Sequence, residues 1–278
     1  MTRPALAPAL SGLLGAWLPR QRWFPVKTAE FTFEPAGALR LEPAGGAAGA
    51  ATFEVLLLAV SYPTPGGSRT DIVQVPLSFR PEPLPGAERA LIGELPGTRA
   101  DNAHQWVYDG VHDAAFVAAW LELMRQGGTT PSGNATGHLV ESGYRLPSGT
   151  GKVKVLSGEQ SNSSVVIGSS VVLKMIRRVA AGTHPELEMG AYLTEAGYQH
   201  ISPLLGAVVR VDGDGESNLL MIAQGYLSNQ GDAWEWTQNN LERAVRDEMA
   251  HGHSNVEQHA HALLELRDFA GLLGQRLG

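Results

Sequence analysis

The chain has 278 residues, no cysteine, 43% hydrophobic residues and a formal net charge of −7, with a pI near 5.7. The lack of cysteine excludes an internal disulfide framework, a thiolate metal site and a cysteine nucleophile, and the acidic balance argues against a nucleic-acid or polyanion-binding surface. The apolar fraction is ample for one large domain or two to three small ones, no apolar run approaches the ~20 residues of a membrane-spanning helix, and no Lys/Arg-headed apolar segment opens the chain as a signal peptide would, so a soluble, cytoplasmic protein is expected.

In chain order, Pro4 to Leu18 is predicted as a short helix, because Leu6, Leu10, Leu13, Leu14 and Trp17 fall roughly on one face. Phe31 to Arg40, Ala51 to Tyr62 and Asp71 to Phe79 read as strands, with glycine- and proline-rich breaks at 45–49 and 63–67. These pieces predict a cap: one helix packed on an antiparallel sheet, residues 1–87. An intermediate subdomain, 88–150, follows. It holds short strands at Ala90 to Leu95 and Gln105 to Asp109 and an amphipathic helix from Asp113 to Gln126, with Phe116, Ala119, Trp120 and Leu123 on its apolar face. Residues 127–137 read as a polar loop.

The richest stretch is Leu156-Ser-Gly-Glu-Gln-Ser-Asn-Ser-Ser-Val-Val-Ile-Gly168, with Val171-Val-Leu-Lys-Met-Ile176 just after it. It reads as strand, polar turn, strand and a further strand. Ser161, Asn162, Ser163 and Ser164 are small and able to hydrogen-bond an oxyanion. Val172, Lys174 and Ile176 share one strand face, since side chains alternate with period two. A lysine on such a face needs a partner, and a phosphate above the serine turn is a natural one. The helix starting at Pro185 carries Glu186 and Glu188 near its N-terminus, where carboxylates suit the helix dipole. A glutamate there is placed to reach back to Lys174, and both residues compete for that role. Ser202 to Ala223 reads as a hairpin with a turn at Asp212-Gly-Asp-Gly215, and Gln224-Gly-Tyr-Leu227 leaves the sheet as a connector. This unit, 151–232, has the element order of a protein-kinase small lobe. The remainder, 233–278, is helical, with a capping-box pattern at Ser254 to Glu257.

Four attractive patterns fail on their own terms. Gly151-Lys152 is not a phosphate-binding P-loop, because residue 146 is Leu and residue 153 is Val. Asp212 to Glu216 is not a calcium loop, because the twelfth position is Ala223. Arg267-Asp-Phe-Ala270 lies in helical periodicity with no catalytic loop before it, so Asp268 reads as a solvated helix acid. His259 and His261 point away from each other on a helix, and His253 precedes the Ser254 cap. The Arg22-Trp-Phe24 cluster with Lys27 reads as core with a charged rim.

Taken together, Gly158 to Gly168, Leu173-Lys174, Arg177-Arg178, Pro185 to Glu188, Gln224 to Trp234 and the opening Leu18-Pro-Arg-Gln-Arg-Trp-Phe24 resemble the maltokinases. These are ATP-dependent sugar kinases related to the aminoglycoside phosphotransferases. The resemblance runs from about Leu18 to the end of the chain. It implies an α+β fold: an N-terminal cap of antiparallel sheet plus helix, the intermediate subdomain, a protein-kinase-like small lobe and the first helices of a large lobe. It implies ATP and Mg²⁺ as cofactors, with Ser161, Asn162, Ser163 and Ser164 covering the phosphates and Lys174 holding them. It favours Glu188 as the partner of Lys174, and it places the Gly225 carbonyl and the Leu227 amide against adenine.

The family reaction is phosphorylation of maltose to maltose 1-phosphate, which feeds α-glucan (glycogen) synthesis. In such kinases a His-x-Asp loop and two further metal-binding positions lie in the large lobe. No such pattern occurs in these 278 residues, so no catalytic residue and no metal ligand is assigned here, and the chain alone is expected to be inactive. The alternative reading is a non-catalytic, kinase-like interaction module, for instance a partner of trehalose synthase. Neither a nucleic-acid nor a membrane partner is expected.

Overall fold

The structure is a computed structural model, and it describes residues 6–27, 30–44, 51–97, 104–132, 134–140, 144–149, 151–156, 161–229, 231, 233–251 and 256–277. The chain divides into two compact units, 1–226 and 227–278.

The first unit begins with α1 (Pro8–Trp17), which has a proline in its first turn and buries Leu10, Leu14 and Trp17 at helical spacing. A 3₁₀ turn, Leu18–Arg20, leads towards β1 (Thr32–Leu41), β2 (Thr52–Thr64) and β3 (Gly67–Arg80). β2 and β3 are joined at Pro65-Gly66, with Thr64 opposite Gly67. The break expected at 63–67 is therefore a two-residue turn inside a longer hairpin. Then come β4 (Leu91–Leu95), β5 (Gln105–Asp109) and α2 (Ala114–Gln126).

The first sheet runs β1-β2-β3-β5-β4. The interior strand β2 explains its own composition. Leu56, Leu58 and Val60 of β2 join α1, Trp23 and Phe24 in one core. Phe53, Val55 and Leu57 alternate with them and join a second core on the opposite face. A strand buried on both faces reads as a continuous apolar run, which is what Val55-Leu-Leu-Leu-Ala-Val60 is.

The second sheet is built from β6 (Ala135–Leu139), β7 (Val153–Val155), β8 (Ser163–Ile167), β9 (Val171–Met175), β11 (Leu204–Val211) and β12 (Ser217–Gly225), in the order β6-β11-β12-β9-β8-β7. The two-residue β10 (Arg178–Val179) leaves this sheet and pairs with β3 of the first, Arg178 opposite Val73. Phe116 and Trp120 of α2 pack in the same core as Val165, Leu173 and Met175 of the second sheet. The far face of that sheet carries α3 (Pro185–Glu195), whose Leu187 and Ala191 lie against Leu204, Ala207 and Ile222. The layers are thus α1, first sheet, α2 with the second sheet, and α3. This is an α+β fold of antiparallel sheets with helices on their faces, as expected.

The segment 88–150 does not form a layer of its own. β4 and β5 complete the cap sheet, and β6 forms an edge of the lobe sheet. The expected loop at 127–137 turns back through Thr129, bridged to Thr136, and becomes β6. It is short and contains Gly137, so it carries little strand signal. Its glycine answers to packing: a Cβ at position 137 would stand 2.2 Å from the carbonyl oxygen of Leu123 on α2. α2 itself starts on Asp113, whose side chain accepts from Ala115 N at 2.9 Å, and ends on Gly127 in the left-handed region, φ 59°.

The second unit holds α4 (Ala233–His251) and α5 (Val256–Leu277). The rings of Trp236 and Phe269 approach to 4.8 Å, and Arg243 pairs with Glu265 at 3.2 Å. The Ser254 cap lies outside the described residues, as does His253. Asp268 sits on exposed α5 surface paired with its neighbour Arg267, in keeping with a plain helix acid. Among the described residues no helix is long and apolar enough to cross a membrane.

Candidate functional site

The site is organised by the two faces of β9. Val171, Leu173 and Met175 point into the core shared with α2 and the cap sheet. Val172 and Lys174 point to the α3 side and are only partly buried. There Lys174 Nζ lies 2.8 and 2.9 Å from the two carboxylate oxygens of Glu186. The lysine side chain is 21% exposed and the glutamate 39%, so the pair borders an open face rather than a sealed core.

The partner is Glu186, which corrects the assignment to Glu188. His184 caps α3, its Nδ1 accepting the Glu186 N–H at 3.3 Å, and Pro185 follows at the first helical position. Glu186 therefore sits at the very start of the helix, where it faces β9. Two residues further on, about 200° around the helix, Glu188 is turned outward and exposed.

The four turn residues separate in the same way. Ser163 and Ser164 are the first two residues of β8 and not turn residues. Ser164 stands directly opposite Lys174 in the strand pairing, so the two share a face. Its hydroxyl is buried and has no hydrogen-bond partner among the described residues. An orphaned hydroxyl beside an ammonium suits a phosphate oxygen, which accepts from both.

Ser163 faces the cap instead. Its Oγ accepts from Arg177 Nε at 2.8 Å, so it is taken out of the expected phosphate set. Ser161 is exposed, and Asn162 Nδ2 lies 3.4 Å from its hydroxyl. Residues 157–160, the first half of the turn, lie outside the described residues.

At the connector, the Gly225 N–H donates to the Pro203 carbonyl at 2.9 Å, and the Tyr226 N–H donates to the Ser170 carbonyl at 2.8 Å. The Gly225 carbonyl accepts a hydrogen bond from the Ser202 hydroxyl, leaving one lone pair for any ligand. Leu227 belongs to the second unit, is exposed, and accepts from Asn229 Nδ2 through its carbonyl at 3.2 Å.

A second constellation was not assigned a role from the sequence. The Arg177 side chain is fully buried, with Nη2 2.7 Å from Asp109 Oδ2 and the guanidinium 4.5 Å from the centre of the Trp23 ring. Burial pushes its pKa down, opposed by the Asp109 carboxylate. Gln74 of the cap sheet donates to the carbonyls of Ile176 and Leu220 at 2.9 and 3.0 Å, and its own N–H reaches the Arg177 carbonyl at 2.8 Å. The signal was present in Arg177-Arg178 directly after the lysine strand and in the acid ending β5. Sequence spacing does not reveal that residues 109 and 177 meet. Nor does it show that Trp23, read as core, is the surface on which the arginine stacks.

Among the described residues no group of three metal-ligating side chains comes together. No donor set for a magnesium ion is therefore drawn from them. A surface hollow of about 680 Å³ lies on the cap and another of about 600 Å³ lies between the cap and α2, and neither is lined by Lys174 or Glu186.

Residues 17–113 match the family described as the maltokinase N-terminal cap domain. A curated glucosamine kinase of Mycolicibacterium smegmatis is 26% identical over 156 residues, 56% of this chain and 38% of that protein. Among solved structures, a glucosamine kinase in complex with glucosamine, ADP and inorganic phosphate aligns with a TM-score of 0.46 at 16% identity, over 87% of this chain and 47% of that one. Another crystal form of glucosamine kinase gives 0.46 at 17% identity, with the same coverage. The chain thus spans less than half the length of the relatives it matches. Residues 17–113 are thus similar to a maltokinase N-terminal cap domain, and the chain is similar in sequence to a sugar kinase.

Proposed function

We propose that this chain is the nucleotide-binding, cap-bearing part of an ATP-dependent sugar kinase whose reaction is maltose to maltose 1-phosphate, in the service of α-glucan synthesis. The observation that carries the reading is the Lys174–Glu186 pair on the half-open face of the lobe sheet, with the Ser164 hydroxyl beside it, which has no partner among the described residues. Lys174 would neutralise charge on the α- and β-phosphates, and Glu186 would hold the ammonium in place. Ser161, Asn162 and Ser164 would lie along the phosphate side, with the Gly225 carbonyl on the adenine side. ATP supplies the transferred phosphoryl group. Catalysis in such transfers is mostly positioning and charge stabilisation, and the base and metal ligands are assigned to residues outside those described. Nothing about the described residues favours trehalose synthase as a partner, and that role is not carried further.

A second sugar, glucosamine, is favoured by the curated relative that shares 26% identity over 156 residues. Titration calorimetry tests the nucleotide half of the reading. ATP should bind the 278-residue chain, and Lys174→Ala should abolish that binding; equal binding by both would overturn it. The sugar is decided by product analysis of the protein made from its complete reading frame, with maltose and glucosamine offered separately. Maltose 1-phosphate supports the proposal, and phosphorylated glucosamine alone replaces it. The 278 residues by themselves should form no maltose 1-phosphate.

A further inference from the structure

We infer that Arg177 is a positioning residue for the phosphate-side turn and that it makes the cap part of the nucleotide site. The inference rests on reading the Lys174 face as that site. Lys174 and Arg177 are three residues apart and project on opposite sides of the lobe sheet. Lys174 meets Glu186 on α3, and Arg177 is buried against the cap. The adjacent serines repeat this division, Ser164 opposite Lys174 and Ser163 bonded to Arg177 Nε at 2.8 Å.

Ser163 is the first residue of β8, immediately after Ser161 and Asn162, so whatever fixes Ser163 fixes where the turn enters the strand. Arg177 is itself held from the cap side by three contacts. These are Asp109 at the end of β5, the Trp23 ring, and the Gln74 N–H on the Arg177 carbonyl. Asp109 is also tied down, its other oxygen accepting the Val111 N–H at 3.4 Å. A guanidinium presents its N–H groups in a planar, fixed fork. One rigid group thus links two cap residues to the root of the turn. The cap does not reach the phosphate face. It acts through the sheet.

Three proteins decide the matter: wild type, Ser163→Ala, and Ser163→Thr, which keeps the hydroxyl. Arg177→Lys keeps a buried positive charge beside Asp109 but loses the fork, and it serves where Ser163→Ala proves unfolded. ATP and adenosine affinities are measured by calorimetry, and hydrogen exchange is followed in the peptide spanning residues 156–167. Loss of the Ser163 hydroxyl should weaken ATP about tenfold, the scale of one hydrogen bond to a charged group. Adenosine affinity should be unchanged, and exchange at the turn should accelerate. The threonine variant should behave as wild type.

Equal weakening of ATP and adenosine would mark a general structural defect and overturn the inference. So would unchanged ATP affinity in Ser163→Ala, or unchanged exchange at the turn. If wild type and Lys174→Ala bind ATP equally, the nucleotide reading itself has failed. Faster exchange in Ser163→Ala would then still show the coupling of Arg177 to the turn.

Discussion

Lys174 and Glu186 face each other across the gap between β9 and the first turn of α3, with both carboxylate oxygens within 2.9 Å of the ammonium. The pair is partly solvated, so its Coulomb energy is screened and its share of folding stability is small, on the order of 1 kcal/mol or less. Its value lies in where it holds the ammonium. Lys174→Met should therefore leave the melting temperature within a few degrees of wild type and lower ATP affinity at least tenfold. Glu186→Gln should lower it several-fold, and Glu188→Gln should change nothing. Calorimetry and thermal melts on the same samples separate the two effects. A Glu188→Gln defect equal to that of Glu186→Gln would contradict the assignment.

Arg177 and Asp109 present the opposite energetics. Both side chains are buried, at 0% and 7% exposure. Removing one member strands the other charge in a low-dielectric site, which costs about 3–5 kcal/mol. Asp109→Ala and Arg177→Ala should each lower the unfolding free energy obtained from urea titration by that amount. The double substitution Asp109→Leu with Arg177→Met should be much less harmful than the sum, since no buried charge remains. A strictly additive double mutant would show that the pair contributes as two independent packing groups.

Asp113 sets an acid limit on stability. Burial works to raise its pKa, but hydrogen bonds from Arg80 and Ser78, with the Arg80 charge, outweigh burial and hold the carboxyl below its usual range. A folded-state pKa below the unfolded one means that the unfolded chain binds more protons in this window. The contribution is thus complete above the unfolded value of about 4 and is lost as pH falls through the depressed folded value. Asp113→Asn keeps a helix-capping oxygen for Ala115 but loses the ion pair. It should cost about 1–3 kcal/mol at pH 7, with the difference from wild type shrinking below pH 4. Urea titrations at pH 7 and in steps below pH 4 measure this. A difference that grows on acidification would contradict the linkage.

Two glycines should respond in opposite directions. At Gly137 an added Cβ meets backbone of α2, 2.2 Å from Leu123 O and 2.8 Å from Met124 Cα, and neither can move without shifting the helix. Gly137→Ala should destabilise by more than ~3 kcal/mol. Gly12, inside α1, has nothing within 4 Å of the Cβ position. Gly12→Ala should stabilise by about 0.5–1 kcal/mol. Thermal melts of both variants check the contrast.

Local pattern made much of this molecule legible. The alternation in 171–176 placed Lys174 on the face opposite Leu173 and Met175 because a strand has period two. The 3.6-residue spacing in 113–126 found α2 and, with Phe116, Ala119 and Trp120, half of its buried residues, and Pro185 with its two acids marked the start of α3. What the pattern could not reach was anything decided by rotation or by pairing between distant segments. Glu186 and Glu188 are equivalent in composition and position. Only the angle at which α3 docks on Leu204 and Ile222 turns one toward Lys174. Ser163 and Ser164 are adjacent and chemically alike, and the register of β8 against β9 sends one to the cap and the other to the lysine.

The same holds for the junction of cap and lobe. β6 carries too little apolar alternation to declare itself a strand, yet it closes the edge of the lobe sheet against β11. Asp109 and Arg177 are 68 residues apart, and nothing local couples them. The sequence by itself determined most of the strands and helices and which face of each is apolar, because those follow from the period of the chain and the aversion of apolar groups for water. The tertiary structure alone decided which charges pair, because a buried ion pair needs two side chains within hydrogen-bonding reach. That distance is set by the packing of two sheets and not by either segment alone.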